Sequence, residues 1–369
     1  MKLFIAIPLL RESENLESLL SDLGNQSLFD FKVLFCVNNP EEWHNNPEKQ
    51  NDIIDNKRTL EILRDINNLD IEVIDKSSEG NGFDIKNAGV GMARRVLMDR
   101  ISEIASGEDI IISLDGDTHF NEDYFLSIRN NFERNEDALA LSIPYYHPLT
   151  NNEEQNNCIL RYEIYMRHYM INMLKINNPY AFTALGSAIA LPVWAYRKIG
   201  GIVPRKSGED FYLLQSLRKT GRIVLWNEEH VYPQARFSDR VAFGTGPAMI
   251  KGISGDWNSY PFYNEKFFNE VEETYSLFKN LFEEDIETPM SEFLRSSFKT
   301  EDLWSPLRKN YKLPERFIHA CMVKVDALKI LQYLRFRQKK SVQEKEYDIT
   351  QTVRNELYNI ENKLRFENL

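Results

Sequence analysis

Ile110-Ile111-Ile112-Ser113-Leu114-Asp115-Gly116-Asp117 constrains this chain more than any other stretch. Its apolar, largely β-branched residues call for a buried strand, and two carboxylates stand at the carboxyl end, where open α/β sheets bind their ligands. Acids one residue apart, with Gly116 between them to let the backbone turn, offer hard oxygen ligands to Mg2+ or Mn2+, ions that also hold substrate phosphates. The alternative is a solvated Asp-Gly turn, since both residue types are common in turns.

The flanking sequence places that strand in a repeating unit. Residues 3–7 read as a first strand ended by Pro8, and a helix follows with Leu16, Leu19, Leu20 and Leu23 on one face, closed by Gly24. Residues 31–37 make a second strand that turns at Asn38-Asn39-Pro40. The polar stretch 41–56 reads as a surface loop, and a helical stretch then leads to a third strand at 71–74. Gly80-Asn81-Gly82 opens a loop, 86–104 reads as a helix, and the Asp115 strand comes next. Strands and helices alternating in this way predict a mostly parallel sheet with helices on both faces.

Composition narrows the function classes. The 369 residues are 42% hydrophobic and carry a net charge of -11, which suits a globular chain and argues against nucleic acid as main partner. Cys36, Cys158 and Cys321 lie far apart, so neither a disulfide framework nor a zinc site is expected, as in a reducing cytoplasm. The start of the chain is too short in apolar residues for a signal peptide. Residues 180–196, broken by Gly186 and Pro192, fall short of a membrane span and read as buried core.

Ile5-Ala6-Ile7-Pro8 with Glu12, the strand end at Asn38-Asn39, Lys86-Asn87-Ala88-Gly89 and Leu114-Asp115-Gly116-Asp117 occur in an order that resembles the nucleotide-binding half of family 2 glycosyltransferases. Further on, Ala184-Leu185-Gly186-Ser187, the Gly200-Gly201 turn and Gly208-Glu209-Asp210 opening a helix, then Gly221-Arg222-Ile223, resemble the acceptor half. The resemblance implies an α/β GT-A fold with a catalytic domain over 1–255 (1–117 nucleotide-binding, 118–255 acceptor) and a helical extension over 256–369. It implies an inverting transferase that moves a sugar from a nucleotide-diphosphate donor to a glycan or lipid-linked acceptor.

Such a transfer must neutralise charge on the departing diphosphate and take a proton from the attacking hydroxyl. By resemblance, Asp117 helped by Asp115 serves the first need through Mn2+ or Mg2+, and Asp210 serves the second as general base with Glu209 positioning the acceptor. For Glu209 and Asp210, simple complementation of a helix N-terminus is the alternative. Pro8, Leu9 and Glu12 are expected near the base or ribose, with Asn38 where many relatives carry Asp. Lys86 stands where relatives often have Arg and could reach base or diphosphate, or be a surface lysine. Arg236 and Arg240 could clamp phosphate oxygens, or be surface arginines. His230 could be a third metal ligand, or an edge-strand histidine. The Gln-x-x-Arg-Trp motif and membrane spans of processive relatives are missing, which points to adding one sugar at a time.

Beyond about Asp256 three apolar stripes recur at helical spacing: Phe267, Val271, Tyr275, Phe278 and Phe282; Phe317, Cys321, Val325 and Leu328; and Val353, Leu357, Ile360 and Leu364. They predict helices packing on the catalytic domain or on a second subunit. Arg335, Arg337, Lys339 and Lys340 form either a solvated helix end or a contact for anionic lipid at the inner face of a membrane. A non-catalytic nucleotide-sugar or glycan-binding module is the alternative to an enzyme; a sugar-phosphate nucleotidyltransferase would need a glycine-rich loop after the first strand, where Pro8-Leu9-Leu10-Arg11 stands.

Overall fold

The computed structural model describes residues 1–205, 208–237, 245–340 and 346–369. Four strands, β1 (Leu3–Leu9), β2 (Phe31–Asn38), β3 (Ile71–Lys76) and β4 (Ile110–Ser113), pair in parallel in the order β3-β2-β1-β4. The sheet continues through β7 (Ile189–Pro192), antiparallel to both its neighbours, to β6 (Ala138–Ser142) and β8 (Arg222–Val224). A two-stranded ribbon of β5 (Thr118–Phe120) and β9 (Val231–Pro233) lies outside it.

The chain fills one side of β1 with β2 and β3, then crosses to place β4 on the other. That reversal makes the ends of β1 and β4 the switch point at which open sheets form their crevice. β1 and β4 are buried along their whole length, which is why their sequences read as unbroken apolar runs and not as alternation. Pro8 does not end β1 as expected. β4 leaves the ladder at the Ala6–Ser113 pair, so Pro8 has no bond to lose on that side, and the strand continues to Leu9 beside β2.

The expected surface loop over 41–56 is instead ordered. Two short 3-10 turns (Glu41–Asn45 and Pro47–Lys49) lead into the helix Gln50–Arg64, whose Asn56 is buried and donates to Asn38 O and Asn39 Oδ1. The first buried residues of this helix, Asp52, Asn56 and Thr59, are polar, so hydrophobic periodicity shows only its end, where Leu60 and Leu63 are buried. The helix expected over 86–104 begins at Val90, after a turn in which Asp84 accepts from the backbone N–H of Lys86. Residues 180–196 are core, as their sequence suggests, and contribute β7.

The helices beyond 256 share one apolar cluster with the sheet's helical layer: Phe267, Val271, Phe278, Phe317, Cys321 and Ile330 are buried together with Ile164 and Met173. In the last helix, Gln351–Glu367, Val353, Leu357 and Leu364 of the expected stripe pack against the apolar cluster, whereas Ile360 is 45% exposed. The fully buried residues are Arg354, Glu361 and Arg365, each at most 1% exposed. They meet the long helix Glu153–Lys175. Arg167 donates to Glu361 at 2.8 Å, and Arg365 donates to Glu361, to the carbonyls of Ser142 and Leu225, and to Thr183 Oγ1. Arg354 donates to the carbonyl of His147. Buried charges persist here because each has partners.

Candidate active site

The site begins where β1 and β4 end. Gly116 is needed there for close approach: a Cβ on it would stand 2.7 Å from Leu9 Cδ2 and 3.0 Å from Glu12 Cγ. Glu12 is therefore packed against the Asp115-Gly116-Asp117 turn, buried, and accepts from Asn15 Nδ2 at 2.7 Å. After β9 the chain returns alongside this turn, with the N–H of Gln234 donating to Asp117 O at 3.1 Å. That return brings in Arg236, which is ion-paired to Asp117 at 2.6 Å and also to Glu12.

The acceptor half arrives from the other side. Gly200 and Gly201 both have positive φ, 77° and 84°, which confirms the turn read from the sequence and directs the chain toward the helix Glu209–Thr220. Its first two residues are acidic and diverge. Glu209 faces inward, 2% exposed, and is ion-paired to Arg94. Asp210 is partly exposed, and its Oδ1 accepts from the N–H of Phe211 at 2.7 Å.

Arg94, from the helix Val90–Ile104, joins the two halves: it is ion-paired to Asp115 as well as to Glu209, and its Nε donates to Ser113 Oγ. Burial works against its charge, but Asp115, Glu209 and Asp210 outweigh burial and hold its pKa above the ordinary value. The opposite happens to Asp210. Burial first, then the negative charge of Glu209, push its pKa up to about 7, against the lowering effects of Arg94 and the Phe211 N–H. Among the described residues, Glu12, Asp115, Asp117, Glu209 and Asp210 thus surround two guanidiniums, Arg94 and Arg236. Their oxygens suit a hard divalent ion. Among the described residues no three His, Cys, Asp or Glu side chains are arranged to hold a metal as they stand.

The other expected residues fall at varying distances from this cluster. Leu9 and Pro8 line the end of β1, and Asn38 is buried with its amide donating to Leu9 O and Cys36 O, so it fastens that strand end. Lys86 is exposed on the turn before the helix Val90–Ile104. Arg240 lies outside the described residues. His230 is a correction. In the antiparallel ribbon Thr118 pairs with Pro233 and Phe120 with Val231, so His230 sits at the end away from Asp117. There it shares a hydrogen bond with Tyr358 OH, and burial, then Arg365 and Arg167, push its pKa down to about 4. In the basic cluster, Arg337 and Lys340 are paired with Glu270 and Glu292. Among the described residues no helix is long and apolar enough to cross a membrane, and the three cysteines are buried, unpaired thiols.

Arg94 was not among the residues expected. Its signal was available: with Gly91, Leu97, Met98 and Ile101 it lies on the buried face of its helix, an arginine in an apolar stripe.

A mostly parallel sheet with one antiparallel strand, helices on its faces and acids at the switch point is the architecture of the GT-A fold. Residues 110–270, from β4 through the acidic helix start and beyond, match the family model described as Glycosyl transferase family group 2. No curated protein matches the chain. Among solved structures it is similar to TarS of S. aureus, residues 1–349 in complex with UDP-GlcNAc, at 14% identity and a TM-score of 0.48, over 94% of this chain and 95% of that one. It is also similar to the mannosyltransferase PcManGT from Pyrobaculum calidifontis in complex with GDP-Man and Mn2+, at 12% identity and a TM-score of 0.38, over 100% and 86%.

Proposed function

We propose that this glycosyltransferase moves one sugar at a time from a nucleotide-diphosphate sugar to an acceptor hydroxyl, with inversion and the help of Mn2+ or Mg2+, in the synthesis of a polysaccharide or glycoconjugate. The observation that carries this reading is the position of Asp210. A carboxyl with a pKa of about 7 stands at a helix start that Arg94 ties to the acids at the end of β4. A general base works best when its pKa lies near the operating pH.

In this reading Asp210 takes the proton of the acceptor hydroxyl as that oxygen forms its bond to the anomeric carbon. The bond from that carbon to the diphosphate oxygen breaks, and its electron pair leaves with the diphosphate. One displacement inverts the centre and needs no protein nucleophile. Asp117, with Asp115 beside it, would hold the divalent ion, which supplies positive charge to the diphosphate when bound. Arg236 would exchange Glu12 and Asp117 for phosphate oxygens, for which its fork is equally suited. Pro8, Leu9 and Asn38 would border the nucleotide, with Lys86 and Arg240 at its edge. The domain limits at 117 and 255, a cytoplasmic location and a lipid-linked acceptor belong to the same proposal.

The test is release of nucleoside diphosphate from UDP-GlcNAc, GDP-Man and related donors, with and without Mn2+, by the whole chain and by Asp210→Asn. Donor-dependent release that the substitution abolishes supports the enzyme. Tight donor binding without release under any condition would favour a binding module.

A further inference from the structure

Arg94 is a buried charge of the site, and it spans two parts of the chain that are 94 residues apart. Ser113 and Asp115 belong to the end of β4, Glu209 to the first turn of the helix Glu209–Thr220, and the one guanidinium contacts all three. Gly186 makes room for it: a Cβ there would stand 2.1 Å from Nη2 and 2.5 Å from Cζ of Arg94. The backbone of Gly186 is not in the left-handed region, so the need for glycine at that position is the guanidinium itself.

Burying a guanidinium is costly, and an apolar side chain of similar volume commonly fills such a place with equal or greater stability. What an apolar residue cannot supply is a planar fork with donors at fixed angles. We propose that Arg94 is a positioning residue of the transfer reaction, whose fork sets the separation between the strand end that faces the diphosphate and the helix start that carries the base. This rests on the glycosyl-transfer reading above. Placement of the base within a fraction of an ångström of the acceptor hydroxyl is worth orders of magnitude in rate, so a rigid tie here has a function that bulk packing lacks.

The same geometry gives a readout independent of turnover. The charged or titratable groups that act on Asp210 are Glu209 on its own helix, Arg94 on a second, and Asp115 at the strand end; Tyr162 on the helix Glu153–Lys175 lies near enough to respond to it. Among the described residues only Arg94 of these is a cation. Moving it away removes a side chain that favours ionised Asp210, so the proton is held to higher pH.

The experiment follows carbodiimide labelling of Asp210, which reacts when protonated, as a function of pH by peptide mass spectrometry of the whole chain. It compares the native protein, Arg94→Lys and Gly186→Ala, with melting temperature and UDP–Mn2+ affinity measured on the same preparations. Gly186→Ala keeps every charge and only displaces the guanidinium. The expected result is a labelling midpoint raised by about one pH unit in both variants, and turnover with any active donor lowered about 10- to 100-fold. UDP–Mn2+ affinity should stay within a few-fold. If Arg94→Lys does not fold, Gly186→Ala decides. A structural Arg94 would lower the melting temperature and leave the labelling midpoint and turnover per folded molecule unchanged, which overturns the proposal. Should no donor turn over even in the native protein, the function reading fails, while the labelling shift still tests the tie.

Discussion

Replacing Asp210 with Asn separates a base from a structural acid, and the structure fixes the sign of two effects. The folded chain raises this carboxyl from 3.8 to about 7, so it binds the proton more tightly than the unfolded chain does. Stability from this group is therefore fully present below about pH 4 and is lost as pH rises to about 7, beyond which the loss is constant. At 1.36 kcal/mol per pKa unit the loss is on the order of 4 kcal/mol. Asn does not titrate, so Asp210→Asn should gain stability relative to the native chain between pH 4 and 7 and keep that gain at pH 8. Urea unfolding of both proteins at pH 4, 5.5, 7 and 8 measures the difference directly. Transfer should fall by about 10²- to 10⁴-fold over the same range, while donor affinity by calorimetry holds. A stability difference that does not vary with pH would refute the burial-driven shift, and near-normal turnover would remove Asp210 from the mechanism.

Asp117→Ala should abolish the Mn2+-dependent tightening of UDP binding while the fold survives, because its carboxylate stands on the turn after β4 and pairs with Arg236; calorimetry with and without Mn2+ reads it. In the native enzyme the acid limb of the kcat/KM profile should have its midpoint near pH 7, the value of Asp210, and a midpoint near 4 would contradict that assignment. Arg365→Met should destabilise the chain by about 3–5 kcal/mol, since it removes a partner of the buried Glu361, and denaturant titration measures it. Truncation after Gly255 should expose the faces of Phe267, Phe278 and Phe317 and yield an insoluble or inactive product, whereas a soluble, active fragment would show the extension to be dispensable.

The parts of the fold legible in sequence were those that bury apolar side chains. The strands β1, β2 and β4 announce themselves because both faces of a parallel sheet are covered, and Asp115 and Asp117 stand out as charge directly after such a run. Elements that bury polar groups were legible only in part. The helix Gln50–Arg64 turns Asp52, Asn56 and Thr59 inward, so only its end, with Leu60 and Leu63, shows in a hydrophobic pattern; in the helix Gln351–Glu367 the apolar stripe shows the helix but not the buried Arg354, Glu361 and Arg365. Arg94 escaped for a related reason. Its neighbour Arg95 is exposed, and two adjacent arginines look alike until the contact with Glu209 is formed across the chain. His230 misled in the other direction: a histidine near a strand is ambiguous until strand pairing fixes its end of the ribbon.

The ion pair between Arg167 and Glu361 also sets a schedule for synthesis. Arg167 is buried against Glu163 and Tyr145 in the finished molecule, yet Glu361 follows it by 194 residues. At roughly 5–20 residues per second, the ribosome takes on the order of 10–40 s to supply that carboxylate. During that interval Arg167 has the carboxylate of Glu163 on its own helix, and the pair with Glu361 is added only when the helix Gln351–Glu367 has been made.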